Sequence, residues 1–253
     1  MKFSDTVPAG YTTQPRVKNS DLIALGSVLA VLGFFALVPG ALDTFKKLSS
    51  EHGFAMSFVK FAVLATFGEC LALRITSGRY NKPGFGVLPK MIVWGILGVV
   101  IKMAFIIFAA GSPGVLGSLG LPIDLATMQS GSFTMKLLAC FSISVFMNLI
   151  FAPVMMTLHK ITDTHIHLHG GTLGSLTKAI DFAAILRKID WQVMYHFVYK
   201  KTIPLFWIPA HTITFMLPAE YQILFAAALG IALGLILAFA SSANNADTTN
   251  RSR

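Results

Sequence analysis

Met91–Ala110 reads MIVWGILGVVIKMAFIIFAA, twenty residues with a single charge, Lys102. At about 1.5 Å rise per residue such a stretch makes about 30 Å of helix, the thickness of a bilayer's hydrocarbon core. Working outward, similar stretches recur. Leu22–Val38 follows a Ser20-Asp21 helix-start signal and stops at Pro39-Gly40. Met56–Ile75, Met135–Leu158 and Tyr221–Ala240 are comparably long and apolar. Ile203–Leu217 is shorter and interrupted by Pro204 and Pro209, with Pro218 just beyond, so it reads as a kinked, tilted or re-entrant span.

Composition agrees. Hydrophobic residues make up 55% of the 253 and charged residues only 12%. A water-facing surface needs roughly 25–35% charge, so a soluble enzyme is excluded. Two cysteines exclude a disulfide scaffold and a multi-cysteine zinc module. The expected fold is an all-α, polytopic transmembrane helix bundle of about six spans. Residues 1–21 form an N-terminal tail, 22–240 the bundle and 241–253 a C-terminal tail. The bundle includes a basic, His-rich loop over 159–202.

Orientation follows from the lysines and arginines. Numbering the loops alternately puts fifteen on one side and two, Lys46 and Lys47, on the other. Positive charge is retained in the cytoplasm, so both termini are expected there. The same rule accounts for the net charge of +9 without a nucleic-acid partner. The first apolar run begins at residue 22 and lacks a small-residue cleavage pattern, so no secretory signal is expected. The first twenty residues are not Arg-rich and include Asp5, which argues against a mitochondrial transit peptide.

Candidate functional residues are the polar groups inside apolar spans, where charge is costly and usually faces a bundle interior or a water-filled path. Counted along the helices, Glu69 lies roughly 9 Å deep, His211 roughly 12 Å, Asn148 roughly 15 Å and Lys102 roughly 18 Å. Four spans thus bring polar side chains to the middle of one bilayer. Together they suggest the lining of a solute or proton path, with the prolines of the fifth span as a movable wall. The same four groups could instead form a closed structural network. Lys60 and Lys136, near the outer interface, are expected to snorkel.

Three further features stand out. His165, His167 and His169 alternate and would share one face of an extended segment able to take zinc, copper or nickel. A solvated loop is the competing reading. Leu173–Asp190 carries apolar residues at helical spacing and reads as an amphipathic helix, lying on the membrane or packed under the bundle. Ala226, Gly230, Gly234 and Ala238 place a small residue every four positions, a face for close helix packing within the bundle or with a second copy. No phosphate loop, H-E-x-x-H or G-x-S-x-G motif is present, and no nucleophile–base pair is visible, so neither an enzyme nor a cofactor is expected.

One family resemblance emerges from the second half. Its elements are Asp190-Trp191, Phe197, Tyr199-Lys200, Ile203-Pro204-Leu205-Phe206-Trp207-Ile208-Pro209, Thr214-Phe215-Met216-Leu217-Pro218 and Tyr221-Gln222. Upstream stand Asn148 with Phe151-Ala152-Pro153, and Gly68-Glu69. This pattern resembles the Mpv-seventeen / peroxisomal-membrane-protein-twenty-two family. Ile203, Thr214, Gln222 and Met147 depart from it, and the first span is an addition. The resemblance implies a small integral membrane protein forming a pore or channel for small solutes, with an acid at the position of Glu69. The family occupies mitochondrial inner membranes and peroxisomes and has prokaryotic relatives. The lack of a transit peptide points to a prokaryotic cytoplasmic membrane. The competing functions are a metal-responsive membrane protein using the His-rich loop and a non-transporting structural or assembly protein.

Overall fold

The computed structural model describes residues 17–121, 123 and 131–251, with side chains up to residue 236. Asp124 and most of the N-terminal tail lie outside these residues. Every regular element among them is helical. Five helices are long and apolar enough to cross a membrane, the mark of a multi-pass integral membrane protein. The chain divides into two compact units, Met1–Asp43 and Thr44–Arg253.

The first unit contains α1, Asn19–Leu37. Asp21 accepts from the Lys18 backbone N–H at 2.8 Å, closing its first turn. None of its residues is buried, and apolar side chains cover all its faces. A helix apolar all round suits lipid rather than water. A second helix, α2 (Ala41–Glu51), begins at the end of this unit and runs on into the next.

The second unit is the bundle. Its long helices are α3 (Gly53–Ser77), α4 (Val87–Ser118), α5 (Phe133–Leu168) and α8 (Ala219–Arg251). Between α5 and α8 come a 3-10 turn, Leu173–Thr177, a short helix α6 (Phe182–Lys188), and a continuous helical run from Trp191 to Met216. That run is one α-turn, then a π-helix over Met194–Trp207, then α7 (Ile208–Met216).

α3 packs on α4 and on α8, while α5 packs on α4 and α7. Glycines set the closest approaches. A Cβ at Gly95 would lie 2.5 Å from the Phe58 ring, and one at Gly98 would lie 2.6 Å from Phe61 Cβ. Only glycine lets α4 pass so near α3 there. On the other side of α3, Gly68 meets Ile231 of α8 with no room to spare: a Cβ there would be 3.0 Å from Ile231 Cα. The central core joins Phe61, Ile101, Phe105, Ile143, Met147 and Phe215.

Several helices outrun the expected spans. α4 continues to Ser118, into a segment expected to be loop, and α8 to Arg251, across the expected C-terminal tail. α5 has 36 residues, about 54 Å of helix, so about 24 Å of it exceeds the hydrocarbon thickness of about 30 Å. It therefore absorbs the start of the expected His-rich loop. The expected amphipathic helix over Leu173–Asp190 is broken in two. Asp181 caps α6 by accepting from the Ala184 N–H at 2.9 Å, which starts a new helix instead of continuing one. Ile185 and Ile189 bury against Ile161 of α5 and Met194, so this segment is packed on the bundle.

The fifth expected span also changes character. Pro204 sits inside the π-helix, Pro209 in the first turn of α7, and Pro218 in the break between α7 and α8. A proline removes a backbone donor and crowds the carbonyl one turn back. The wider π winding relieves that crowding, with Ile208 N–H bonding back five residues to the Ile203 carbonyl.

Candidate functional site

A cavity of about 380 Å³ lies inside the bundle, walled by α3, α4, α5, the π-helix, α7 and α8. Most of its wall is apolar: Phe61, Phe105, Met147, Phe151 and Met155 belong to it. Polar groups reach it at two levels.

The first level is ionic. Glu69 of α3 accepts from Lys90 Nζ at 2.5 Å and from Trp94 Nε1 at 2.6 Å, both on α4. Lys90 also donates to Asp163 of α5. His159, one turn before Asp163, brings Nε2 to 3.6 Å from Glu69 Oε1 and lays its ring 4.3 Å from that of Trp94. One lysine thus bridges two carboxylates on different helices. Lys90 is nearly buried, with its side chain 8% exposed, while Glu69 at 22% and Asp163 at 31% remain partly open. Lys90 also lies 4.6 Å above the Phe85 ring, a cation–π contact.

The second level has no carboxylate or ammonium group and is buried. Ser144 of α5 donates to the Ile208 carbonyl at 2.7 Å. Asn148, one turn on, gives one amide N–H to the Ser144 carbonyl at 2.9 Å and points its Nδ2 at His211 Nδ1, 3.0 Å away. Asn148 Oδ1 also lies 3.2 Å from His211 Nδ1, so the two side chains pair whichever ring nitrogen carries the proton. His211 stacks on Trp207 at 5.1 Å and meets Phe105 edge-on at 5.7 Å. Asn148 and Ser144 have no exposed surface.

Of the four predicted lining residues, Glu69, Asn148 and His211 are on the cavity wall. Lys102 is not. Its side chain lies by the start of α3, with Cε 3.6 Å from where a Cβ on Gly53 would stand. Helical rise gives depth but not direction around the helix, and two residues along a helix turn a side chain by about 200°, away from a cavity. Nearby, Lys60 is buried rather than snorkelling: its ammonium donates to Ser49 Oγ at 2.9 Å and sits 4.6 Å over the Phe45 ring.

The histidine run does not form one face. His165 and His167 lie in the last turn of α5, where two residues rotate by about 200°, so His167 points away while the His165 and His169 rings lie 4.3 Å apart. His165 Nε2 donates to the Ser175 carbonyl at 2.9 Å, His167 Nδ1 pairs with the Gly84 carbonyl at 3.3 Å, and His169 Nδ1 with the His165 carbonyl at 2.8 Å. Among the described residues no three His, Cys, Asp or Glu side chains are placed to hold a metal ion. On the small-residue face, a Cβ on Gly234 would stand 3.6 Å from the Gly68 carbonyl oxygen, whereas one on Gly230 would meet nothing within 4 Å; both glycines border the cavity.

Lys90, Trp94, His159, Asp163 and Trp207 were not assigned to the site from sequence. The signal for Lys90 was present: a carboxylate at Glu69 inside a span needs a cation at its own level. His159 and Asp163, four apart on one helix face, carried the rest.

No protein-family model, curated protein or solved structure matches this chain. Its function must be read from its own residues.

Proposed function

We propose that this chain is a small-solute channel or transporter of a prokaryotic cytoplasmic membrane, with the intrabundle cavity as its solute site. The observation that carries this reading is the cavity itself: about 380 Å³ of space among membrane-length helices, with an ion cluster and a neutral hydrogen-bonded level on its wall. A purely structural bundle gains by closing such a space, since voids forfeit packing contacts. The motif resemblance to the Mpv-seventeen / peroxisomal-membrane-protein-twenty-two family supports the same reading. Glu69 and Asn148, two residues that carry it, stand on the cavity wall.

In this proposal the helical run Trp191–Met216 completes six spans with α1, α3, α4, α5 and α8, and both termini are cytoplasmic. Lys90, Lys160, Arg187 and Lys188 then fall on the positive side. The π-helix is the movable wall: wide helical turns recur at functional sites, and Pro204 leaves its backbone fewer bonds to break. The ion cluster is a polar entrance, and the Asn148–His211 pair offers weak, replaceable contact deeper in, as conduction requires.

Flux from proteoliposomes across a panel of small solutes tests the proposal. Protein-dependent efflux of at least one solute is expected. Efflux equal to that of empty liposomes throughout the panel would leave a structural or assembly role instead.

A further inference from the structure

The end of α5 holds a pair of histidines that the cavity does not use. His165 lies in the last turn of the helix and His169 caps it four residues on, so the two share a face that His167 does not. Their ring centres are 4.3 Å apart, with planes tilted by 48°. Gly170 and Gly171 follow with left-handed φ of 72° and 69° and turn the chain back across the helix end. Ser175 then comes onto the His165 ring, its carbonyl 2.9 Å from Nε2.

The hydrogen bonds fix where the protons are. A backbone carbonyl only accepts, so the ring nitrogen facing one carries the hydrogen. His165 Nε2 therefore donates to Ser175, and His169 Nδ1 donates to the His165 carbonyl at 2.8 Å. The neutral rings keep their lone pairs on the other nitrogens, His165 Nδ1 and His169 Nε2. Neither of these has a hydrogen-bond partner among the described residues, and neither is one of the buried polar atoms left unsatisfied, so both retain accessible surface. An imidazole that gives one N–H to a carbonyl has its tautomer and orientation set in advance, as metal-ligating histidines do.

Two nitrogens on one ion, each about 2.0–2.1 Å from it, stand about 3.4 Å apart at a tetrahedral angle, a separation that rings centred 4.3 Å apart accommodate. The pair also lies at the carbonyl end of a 36-residue helix, where the dipole favours a cation. Asp163, the one carboxylate of α5, is held by Lys90, so the donors are nitrogen only. Imidazole donors suit copper, nickel and zinc, whereas magnesium and calcium want oxygen.

We propose that His165 Nδ1 and His169 Nε2 form a two-imidazole site for a divalent copper, nickel or zinc ion, with water completing its coordination. The site uses two side chains, in keeping with the lack of a three-residue cluster among the described residues. Neither histidine borders the cavity, so this inference goes beyond the solute reading and stands or falls without it.

Nickel is the probe. Full-length protein without a histidine tag, purified metal-free in detergent, is titrated calorimetrically with nickel chloride and separately with magnesium chloride. Saturable binding of one nickel ion per chain at micromolar metal is expected, and none of magnesium. His169→Ala removes the half-buried ligand and should weaken nickel at least about tenfold, and His165→Ala should do the same. The His167 ring is turned to the Gly84 carbonyl, so His167→Ala should leave the affinity within about twofold. His165 is 4% exposed and holds Ser175, so far-ultraviolet circular dichroism checks the folding of His165→Ala. Should that variant not fold, the contrast between His169→Ala and His167→Ala decides. The inference is overturned if nickel shows no saturable binding, if magnesium binds as tightly, if His169→Ala binds nickel like the unaltered protein, or if His167→Ala weakens nickel as much as His169→Ala.

Discussion

The two polar levels of the cavity solve the same problem in opposite ways. At Glu69, Lys90 and Asp163 full charges are kept, each answered by another, where two of the three carboxylate and ammonium groups retain some exposure. At Ser144, Asn148 and His211 the groups pair by hydrogen bonds and are buried, Ser144 and Asn148 completely. Charge is carried where several counter-charges and some solvent share the cost; deeper in, only dipoles remain. A solute moving from one level to the other would pass from an electrostatic to an apolar, hydrogen-bonding environment.

Removing the central cation should strain the ionic level most. Lys90→Met leaves Glu69 and Asp163 facing one another without compensation, a loss of about 3 kcal/mol expected for breaking a buried pair. Thermal unfolding in detergent reads this, and adding Glu69→Gln with Asp163→Asn should recover most of it. If Lys90→Met is neutral by itself, the cluster is not the electrostatic unit described.

The neutral level should respond less. Asn148→Leu fills similar volume but leaves His211 Nδ1 and Ser144 without their partner, a cost of about 1–2 kcal/mol. Its unfolding temperature should lie between those of wild type and Lys90→Met; a larger drop than for Lys90→Met would reverse the ranking of the two levels.

Smallest of all is Trp207→Phe. Its indole N–H has no partner, so unfolding should shift by less than about 0.5 kcal/mol, in either direction. A clear destabilisation would mean that this N–H is bonded after all and that the cavity wall is closed at that point.

Much of this architecture is written in the sequence, though unevenly. Span positions follow from unbroken apolar runs, because a bilayer demands a fixed length of helix and the run supplies it. Glu69, Asn148 and His211 stand out because polar groups in such runs are few. What periodicity cannot supply is direction around a helix: Lys102 has the right depth and the wrong azimuth. Nor does local pattern reveal where a helix ends when no proline or glycine stops it. α5 runs on through His165 and His167 to Leu168, and with that the alternate histidines lose their common face. The partnership of Lys90 with two acids joins three helices, and such a contact depends on packing that Gly95 and Gly98 permit but do not announce.

The central claim is that these groups border a solute path rather than a closed network. Flux and stability of Glu69→Gln, measured side by side in proteoliposomes and detergent, test it most directly. The substitution removes one charge but keeps shape and hydrogen-bonding capacity, and Lys90 retains Asp163. The account predicts altered flux or selectivity per folded molecule, with an unfolding temperature within a few degrees of wild type. A lowered unfolding temperature with unaltered flux per folded molecule would contradict it.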